Sequence, residues 1–387
     1  MRGPTCERRS GVPRCGRAHE RQEDRYRKRE VHVGKVACSE DAPDQHGVRE
    51  SRQSLRKKAE DREGRVSDRG ILSPHGNEYY RPGARAAARR KATLVIDIML
   101  PFYGREDHFR LAVESVLSQD DSRWRLVIID DAYPDTAPGE WAQSISDPRV
   151  TYIRHSVNQG INRTFQECLE LSRAEWVVIF GCDDIMAPGY VRRILELASA
   201  EPDALIIHPG VNIIDAAGRP ARTLVDTAKS FYRPRGSRPV ILSGQEFAVS
   251  VTRGNWMNFP ALAWHAPTVR AIGFRPDFQV VQDLALALDV CRRGGSLVLD
   301  DEPVFSYRRH AGSVSSWRAV DGSRFEEERA FFVAEANDFA DRGWKHAARA
   351  ARVHLSSRIN ALTRLPSAVA AGDSRGIRAL LRHAFWS

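Results

Sequence analysis

Two pairs of adjacent carboxylates are placed where chemistry is done. Asp130 and Asp131 close the apolar run from Trp124 to Ile129, and Asp183 and Asp184 follow the run from Trp176 to Phe180 in the stretch Phe180-Gly181-Cys182-Asp183-Asp184. Neighbouring carboxylates repel, so a cleft that holds two of them needs a cation or hydrogen-bond donors in compensation. A hard divalent ion with oxygen ligands, Mg²⁺ or Mn²⁺, suits that, above all one shared with substrate phosphates. The bland alternative is that each pair caps a helix or closes a turn. One pair alone leaves the two readings even; two pairs at equivalent strand ends favour function.

The elements that must position these acids are legible in the periodicity. Residues 93–100 read as a buried strand closed by Pro101, and residues 105–119 place Phe109, Ala112, Val113, Val116 and Leu117 on one helical face. Strands are expected at 124–130, 150–155 and 175–180, with helices at 160–173 and, opening near Pro188, at 187–199. Strands alternating with helices of about a dozen residues imply an α/β fold with a mostly parallel central sheet covered on both faces. In open sheets of this kind ligands bind beyond the carboxyl ends of the strands, so both acidic pairs are expected to face one crevice.

Past residue 200 the pattern loosens. Residues 204–214 suggest a strand pair and 216–242, rich in Arg, Pro and Gly, a long loop. Residues 280–295 read as a helix ended by glycine, followed by strands at 296–300 and 303–309. Two helices are expected over 324–361 and a short basic amphipathic one over 375–386, whose apolar face could meet its own domain, a second subunit in a homodimer, or a membrane surface.

Charge is divided unevenly along the 387 residues. Residues 1–91 carry a net +10, with 24 Lys and Arg against 14 Asp and Glu, while residues 92–387 carry 35 against 36, or −1, which makes the overall +9. The first block lacks any sustained apolar period and reads as a disordered basic tail, or as a start codon placed too far upstream. Nucleic-acid binding is therefore not expected of the folded part. Six cysteines at 6, 15, 38, 168, 182 and 291 show no zinc or disulfide spacing, which fits a reduced, cytoplasmic protein. Neither a secretory leader nor a run of roughly 18 apolar residues is seen. A place at the inner face of the membrane stays open through the C-terminal helices.

Taken in order, "VIDIMLPFYGRED", "WRLVIIDDAYPD", "DPRVTYIRHSVNQGINRT" and "VVIFGCDDIMAPGY" resemble family 2 glycosyltransferases, the inverting enzymes of GT-A fold, over residues 93 to about 316. The resemblance implies a nucleotide-binding half at 92–200 and an acceptor half at 201–316, with 317–387 as a helical extension. It implies that Pro101, Phe102 and Tyr103 hold the nucleotide base, although Gly104 stands where many members have Asn. Asp130 and Asp131 match the acidic pair that contacts base and ribose. Asn158, Gly160 and Arg163 match the loop and helix start that help hold the nucleotide, with Arg163 within reach of a diphosphate. The Phe180–Asp184 stretch matches the family's D-x-D-D metal motif with Gly181 in place of the first acid, leaving Asp184 as the expected metal ligand and Asp183 for ribose.

An inverting transfer also needs a base for the acceptor hydroxyl and positive charge for the departing diphosphate. By resemblance Asp283 is that base, with Gln282 where Glu is usual. A helix N-terminus should hold its pKa down. Arg308, Arg309, His310, Ser313 and Ser315 match the segment that lies over the diphosphate, with His310 a candidate metal ligand. Trp256 could stack on an acceptor sugar or equally line the core. The implied reaction moves a sugar from a nucleotide-diphosphate donor, a UDP-sugar before others, to a glycan or lipid-linked acceptor in polysaccharide or cell-surface glycan synthesis. Two rivals stand beside it. A nucleotidyltransferase on a similar sheet lacks support because no glycine-rich basic loop follows the first strand; a non-catalytic sugar- or nucleic-acid-binding protein would have no use for Asp184 and Asp283 together.

Overall fold

A computed structural model describes residues 94–310 and 323–385 of the chain. The expected basic tail, and Ser313 and Ser315 with it, lie outside the described residues. The architecture is one nine-stranded mixed sheet with helices on both faces. Strands β1 (Ile96–Phe102), β2 (Trp124–Asp130), β3 (Val150–Arg154) and β4 (Trp176–Ile179) run parallel in the order 3-2-1-4. Beyond β4 follow β8 (Ala263–His265), β6 (Ala204–Ile214), β9 (Ser296–Arg308) and the two-residue β5 (Ile185–Met186), with β7 (Val240–Ser243) on β9. Only β5, β7 and β8 run against the rest, so the sheet is mostly parallel as expected.

Period-two alternation assigns each strand's side chains to two cores. Ile98, Leu100, Leu126, Ile128, Trp176 and Val178 join one; Met99, Val127, Ile129, Val177 and Ile179 join the other. Helices α1 (Glu106–Leu117), α2 (Ala137–Gln143) and α4 (Tyr190–Ala200) pack on the first core. Helices α3 (Ile161–Leu171), α6 (Gly244–Arg253), α7 (Ala266–Ile272) and α8 (Gln282–Arg292) pack on the second. Asp97 is buried on that second side and is met there by Arg125 at 2.8 Å and by the Ala174 amide at 2.8 Å.

Three sequence expectations change. The segment 216–242 is not one loop: it contains helix α5 (Leu224–Tyr232), opened by a reciprocal cap in which Thr223 and Asp226 bond each other's backbone amides. The expected strand pair at 204–214 is the single strand β6, whose pairing with β9 shifts register on both sides of Gly210, a position where a side chain would run into the backbone of Asp301 and Glu302. The strands expected at 296–300 and 303–309 are one, β9. The C-terminal part forms α9 (Ser323–Asp341), α10 (Lys345–Val353), α11 (Leu355–Ala370) and α12 (Ser374–Phe385), of which α9 and α10 complete the second core. No described helix is long and apolar enough to cross a membrane.

Candidate active site

The register of the parallel strands brings Phe102, Asp130 and Arg154 level at the carboxyl edge of the sheet, with the residues after β4 beside them. Tyr103 and Tyr133 meet edge to face at 5.5 Å there, both half-buried. Phe102 does not join them at the surface. It is fully buried and stacked on Phe109 at 4.0 Å, so its side chain is core and not a base platform; Pro101 is half-buried in β1.

Asp130 and Asp131 are both buried and both occupied by the protein itself. Asp130 accepts from the Tyr133 amide (2.7 Å), the Tyr152 hydroxyl (2.6 Å) and Arg154. Asp131 accepts from the amides of Gln159 (2.6 Å) and Gly160 (2.9 Å) and faces His155 Nδ1 at 2.8 Å, while its backbone carbonyl takes the Asn158 amide group at 3.1 Å. The pair thus anchors the turn after β2 and the loop 155–160, which is the architectural reading set out above. Arg163 is directed away from the strand ends: it lies exposed along α3 and pairs with Glu170 at 3.1 Å, toward the far end of the helix.

The second acidic pair is built differently. Asp184 is 1% exposed and accepts the Arg308 amide at 2.8 Å on Oδ1, while Oδ2 is buried without a hydrogen-bond partner among the described residues. Burial first, and the Asp183 charge second, push its carboxyl well above the usual carboxylate range. Asp183 is partly exposed and bonds His310 Nε2 at 2.7 Å. Both carboxylates crowd the space over Gly181, where a Cβ would stand 2.4 Å from Asp184 Oδ2 and 3.1 Å from Asp183 Oδ1. An unpartnered buried oxygen facing a second carboxylate across a side-chain-free residue is a cradle that a divalent cation fits. No set of three acidic, His or Cys side chains converges on one point among the described residues, so phosphate and water oxygens would complete the shell.

Arg308 and Arg309 follow β9 into this edge. Arg308 spends its guanidinium on the carbonyls of Asp183 (2.6 Å), Asp215 (3.1 Å) and Ala216, which locks the loop after β4 to β9. Arg309 lies over Tyr307 at 4.7 Å and bonds Asp226 at 2.7 Å. Asp226 belongs to α5, and one turn on, Lys229 donates to the Met257 carbonyl at 2.6 Å. Burial, and after it the Arg309 charge, lower the Lys229 ammonium to about 8.

Asp283, the second residue of α8, is half-buried with Oδ1 on the Leu284 amide (2.7 Å) and Oδ2 near the Asn255 side chain (3.3 Å). The expectation that the helix end would hold its pKa down is corrected: burial outweighs the hydrogen bonds and the Lys229 charge, and the carboxyl is raised. Trp256 is corrected as well. It is 2% exposed, donates to Ser250 at 3.1 Å and sits beside His208 in the core, with no face for a sugar. Asp226 and Lys229 are site-edge residues that sequence reasoning missed, with the Thr223…Asp226 capping spacing as their advance signal; Asn255 lies in the stretch 254–265, which the sequence offers as a wall of the acceptor pocket.

Residues 97–253 match the family profile described as glycosyl transferase family 2. The succinoglycan biosynthesis protein ExoO of Rhizobium meliloti (strain 1021) is 23% identical over 220 residues, 57% of this chain and 62% of that protein. The putative colanic acid biosynthesis glycosyl transferase WcaA of Escherichia coli (strain K12) is 30% identical over 96 residues, 24% of this chain and 34% of that protein. The chain thus spans less than two thirds of either relative. Among solved structures, TarS 1-349 of S. aureus aligns with a TM-score of 0.52 at 11% identity, over 75% of this chain and 90% of that one. The fold, the profile and the order of the motifs agree: residues 97–253 are similar to glycosyl transferase family 2, on an α/β architecture of GT-A type.

Proposed function

We propose that this protein is an inverting glycosyltransferase that moves a sugar from a nucleotide-diphosphate donor to an acceptor hydroxyl, in polysaccharide or cell-surface glycan synthesis. The observation that carries the reading is the unpartnered, buried Oδ2 of Asp184 facing Asp183 across Gly181. The relatives named for succinoglycan and colanic acid synthesis support the glycan side, and TarS 1-349, which shares the fold, is solved with UDP-GlcNAc. In this reading residues 92–316 are the transferase domain, with the donor in the half up to residue 200, and 317–387 form a helical extension.

Bound at the Asp183–Asp184 cradle, Mg²⁺ or Mn²⁺ would neutralise the charge of the donor diphosphate. The chain's own groups do the rest. Asp184 and Asp183 would hold the cation, with His310 orienting Asp183 through its 2.7 Å bond. Asp283, ionised, takes the proton of the acceptor hydroxyl as that oxygen bonds to the anomeric carbon and the bond from that carbon to the diphosphate oxygen breaks. Its raised pKa makes it a better proton acceptor than an ordinary aspartate. Arg309, aimed by Asp226, brings a positive charge to the edge where the nucleoside diphosphate departs. Tyr103 with Tyr133 supplies the aromatic side of the base site in place of Phe102.

The reading is tested with the purified chain, a panel of nucleotide-diphosphate sugars and Mn²⁺, following released nucleotide by phosphorus NMR. Nucleoside diphosphate as the product supports it. Pyrophosphate would instead identify a nucleotidyltransferase, and stabilisation by no nucleotide, with or without metal, would point to a non-catalytic protein.

A further inference from the structure

We infer that the last two described helices, α11 and α12, form a docking surface for an anionic phospholipid membrane. Leu355, Ile359, Leu362 and Val369 follow one another at i, i+4, i+7 and i+14 on α11 and are 38–61% exposed. This spacing makes a single apolar stripe about 21 Å long at 1.5 Å per residue. The opposite face of α11, with Ser357, Ala361 and Ala368, is buried.

On α12, Arg375, Arg378, Arg382 and Phe385 recur at i, i+3, i+7 and i+10, and all four are exposed, while Gly376, Leu380, His383 and Ala384 turn inward. None of the three arginines has an ion-pair partner among the described residues. From 342 to 385 the chain carries eight arginines and one lysine against a single acid, Asp373. That imbalance decides the occupant. A second copy of the chain would bring the same cations to the same stripe and be repelled, whereas lipid phosphates attract the arginines and acyl chains take up the apolar row. A cation-rich helix pair with an unpartnered apolar stripe, and no helix able to span, fits a protein that lies on a bilayer.

The surface is independent of the catalytic reading, so its test needs no turnover. The full chain is sedimented with vesicles of phosphatidylcholine alone and with vesicles rich in phosphatidylglycerol. Binding to the anionic vesicles that weakens with salt is expected, and little to the neutral ones. Arg375→Gln, Arg378→Gln and Arg382→Gln together should lower the partition on the order of 100-fold, equivalent to roughly 1 kcal/mol per arginine near an anionic surface. Leu355→Ser with Ile359→Ser and Leu362→Ser should lower it as well. All six positions are exposed, so an unchanged melting temperature certifies folding; if the serine variant does not fold, the glutamine variant decides. Vesicle binding untouched by the arginine changes would place it elsewhere on the chain and overturn the inference. So would equal binding to neutral vesicles, or a concentration-dependent dimer that the serine variant dissolves.

Discussion

Gly181 and Asp184 occupy one space: a methyl group on residue 181 would stand 2.4 Å from the Asp184 oxygen that has no hydrogen-bond partner. The glycine is therefore not a vacancy in a three-acid motif but the condition for Asp184 to be buried where it is. An acid at 181 and the observed Asp184 rotamer are mutually exclusive.

Gly181→Ala should accordingly push Asp184 off the Arg308 amide and destabilise the protein by about 1–3 kcal/mol, the usual cost of overpacking. Gly181→Asp should do the same and add a third negative charge. Both should weaken Mn²⁺-dependent nucleotide binding at least about tenfold, a loss of roughly 1.4 kcal/mol. Titrating nucleoside diphosphate by thermal shift with and without Mn²⁺ checks this. Tighter metal-dependent binding in Gly181→Asp would show that the chain tolerates the fuller motif.

Asp283 and Lys229 should be coupled in the pH dependence of turnover. The base must be ionised to accept a proton, so activity falls as the pH drops through its raised pKa. Lys229 is one of the charges that restrain that rise. Replacing it, Lys229→Met, should move the acid limb of the kcat/KM profile to higher pH, with donor affinity little changed. Asp283→Asn should abolish transfer while leaving donor binding nearly intact. An acid limb that stays put in Lys229→Met would remove Asp283 as the group it reports.

Much of this frame was legible in advance because long apolar runs ended by acids have few other meanings in an α/β pattern. The strand end at Asp130 and the acids in the loop after β4 emerged from period and composition alone. Depth did not. Phe102 and Trp256 carry the same sequence texture as ligand-facing aromatics, yet both are core, and only the packing of Phe109 and Ser250 around them shows it. The Asp130–Asp131 and Asp183–Asp184 pairs look alike in one dimension and differ in three: one has its oxygens filled by the chain's own donors, the other keeps one unfilled. Helix α5 was hidden because its flanks are rich in Arg, Pro and Gly, and a nine-residue helix held by tertiary contacts leaves a weak periodic trace.

A pH-dependent weakness is expected in the C-terminal helices. Ser357 donates its only proton to Glu328, so the 2.7 Å contact with His383 Nε2 requires that nitrogen to carry hydrogen, and Nδ1 is buried without a partner. Burial depresses His383 to about 4 and lowers the neighbouring His354 too, with Glu328 acting the other way on both. A histidine with a depressed folded pKa contributes stability that is full above pH 6.5 and is lost as the pH falls through about 4. Unfolding followed from pH 7 to 4 should show a decline on the order of 3 kcal/mol attributable to His383. His383→Phe should flatten that decline, and an unaltered slope would mean that the ring is solvated in the native state.

The turn after β2 offers a test in the opposite direction, a gain of stability. Ala132 follows the buried acidic pair with φ of 57°, a left-handed conformation that costs an L-residue roughly 1–2 kcal/mol. The conformation is imposed by its neighbours: the Tyr133 amide must reach Asp130 at 2.7 Å while Asp131 turns to hold loop 155–160. Ala132→Gly removes the strain and loses about 0.5–1 kcal/mol of it to the extra freedom of the unfolded chain, so a net gain of about 0.5–1 kcal/mol is expected. Ala132→Val should lose more than 1 kcal/mol, since a β-branched side chain is worse still in that region. Chemical denaturation of the two variants beside the parent decides it. Should glycine destabilise and valine be neutral, the turn would not be left-handed in solution, and the anchoring of both acids would have to be redrawn.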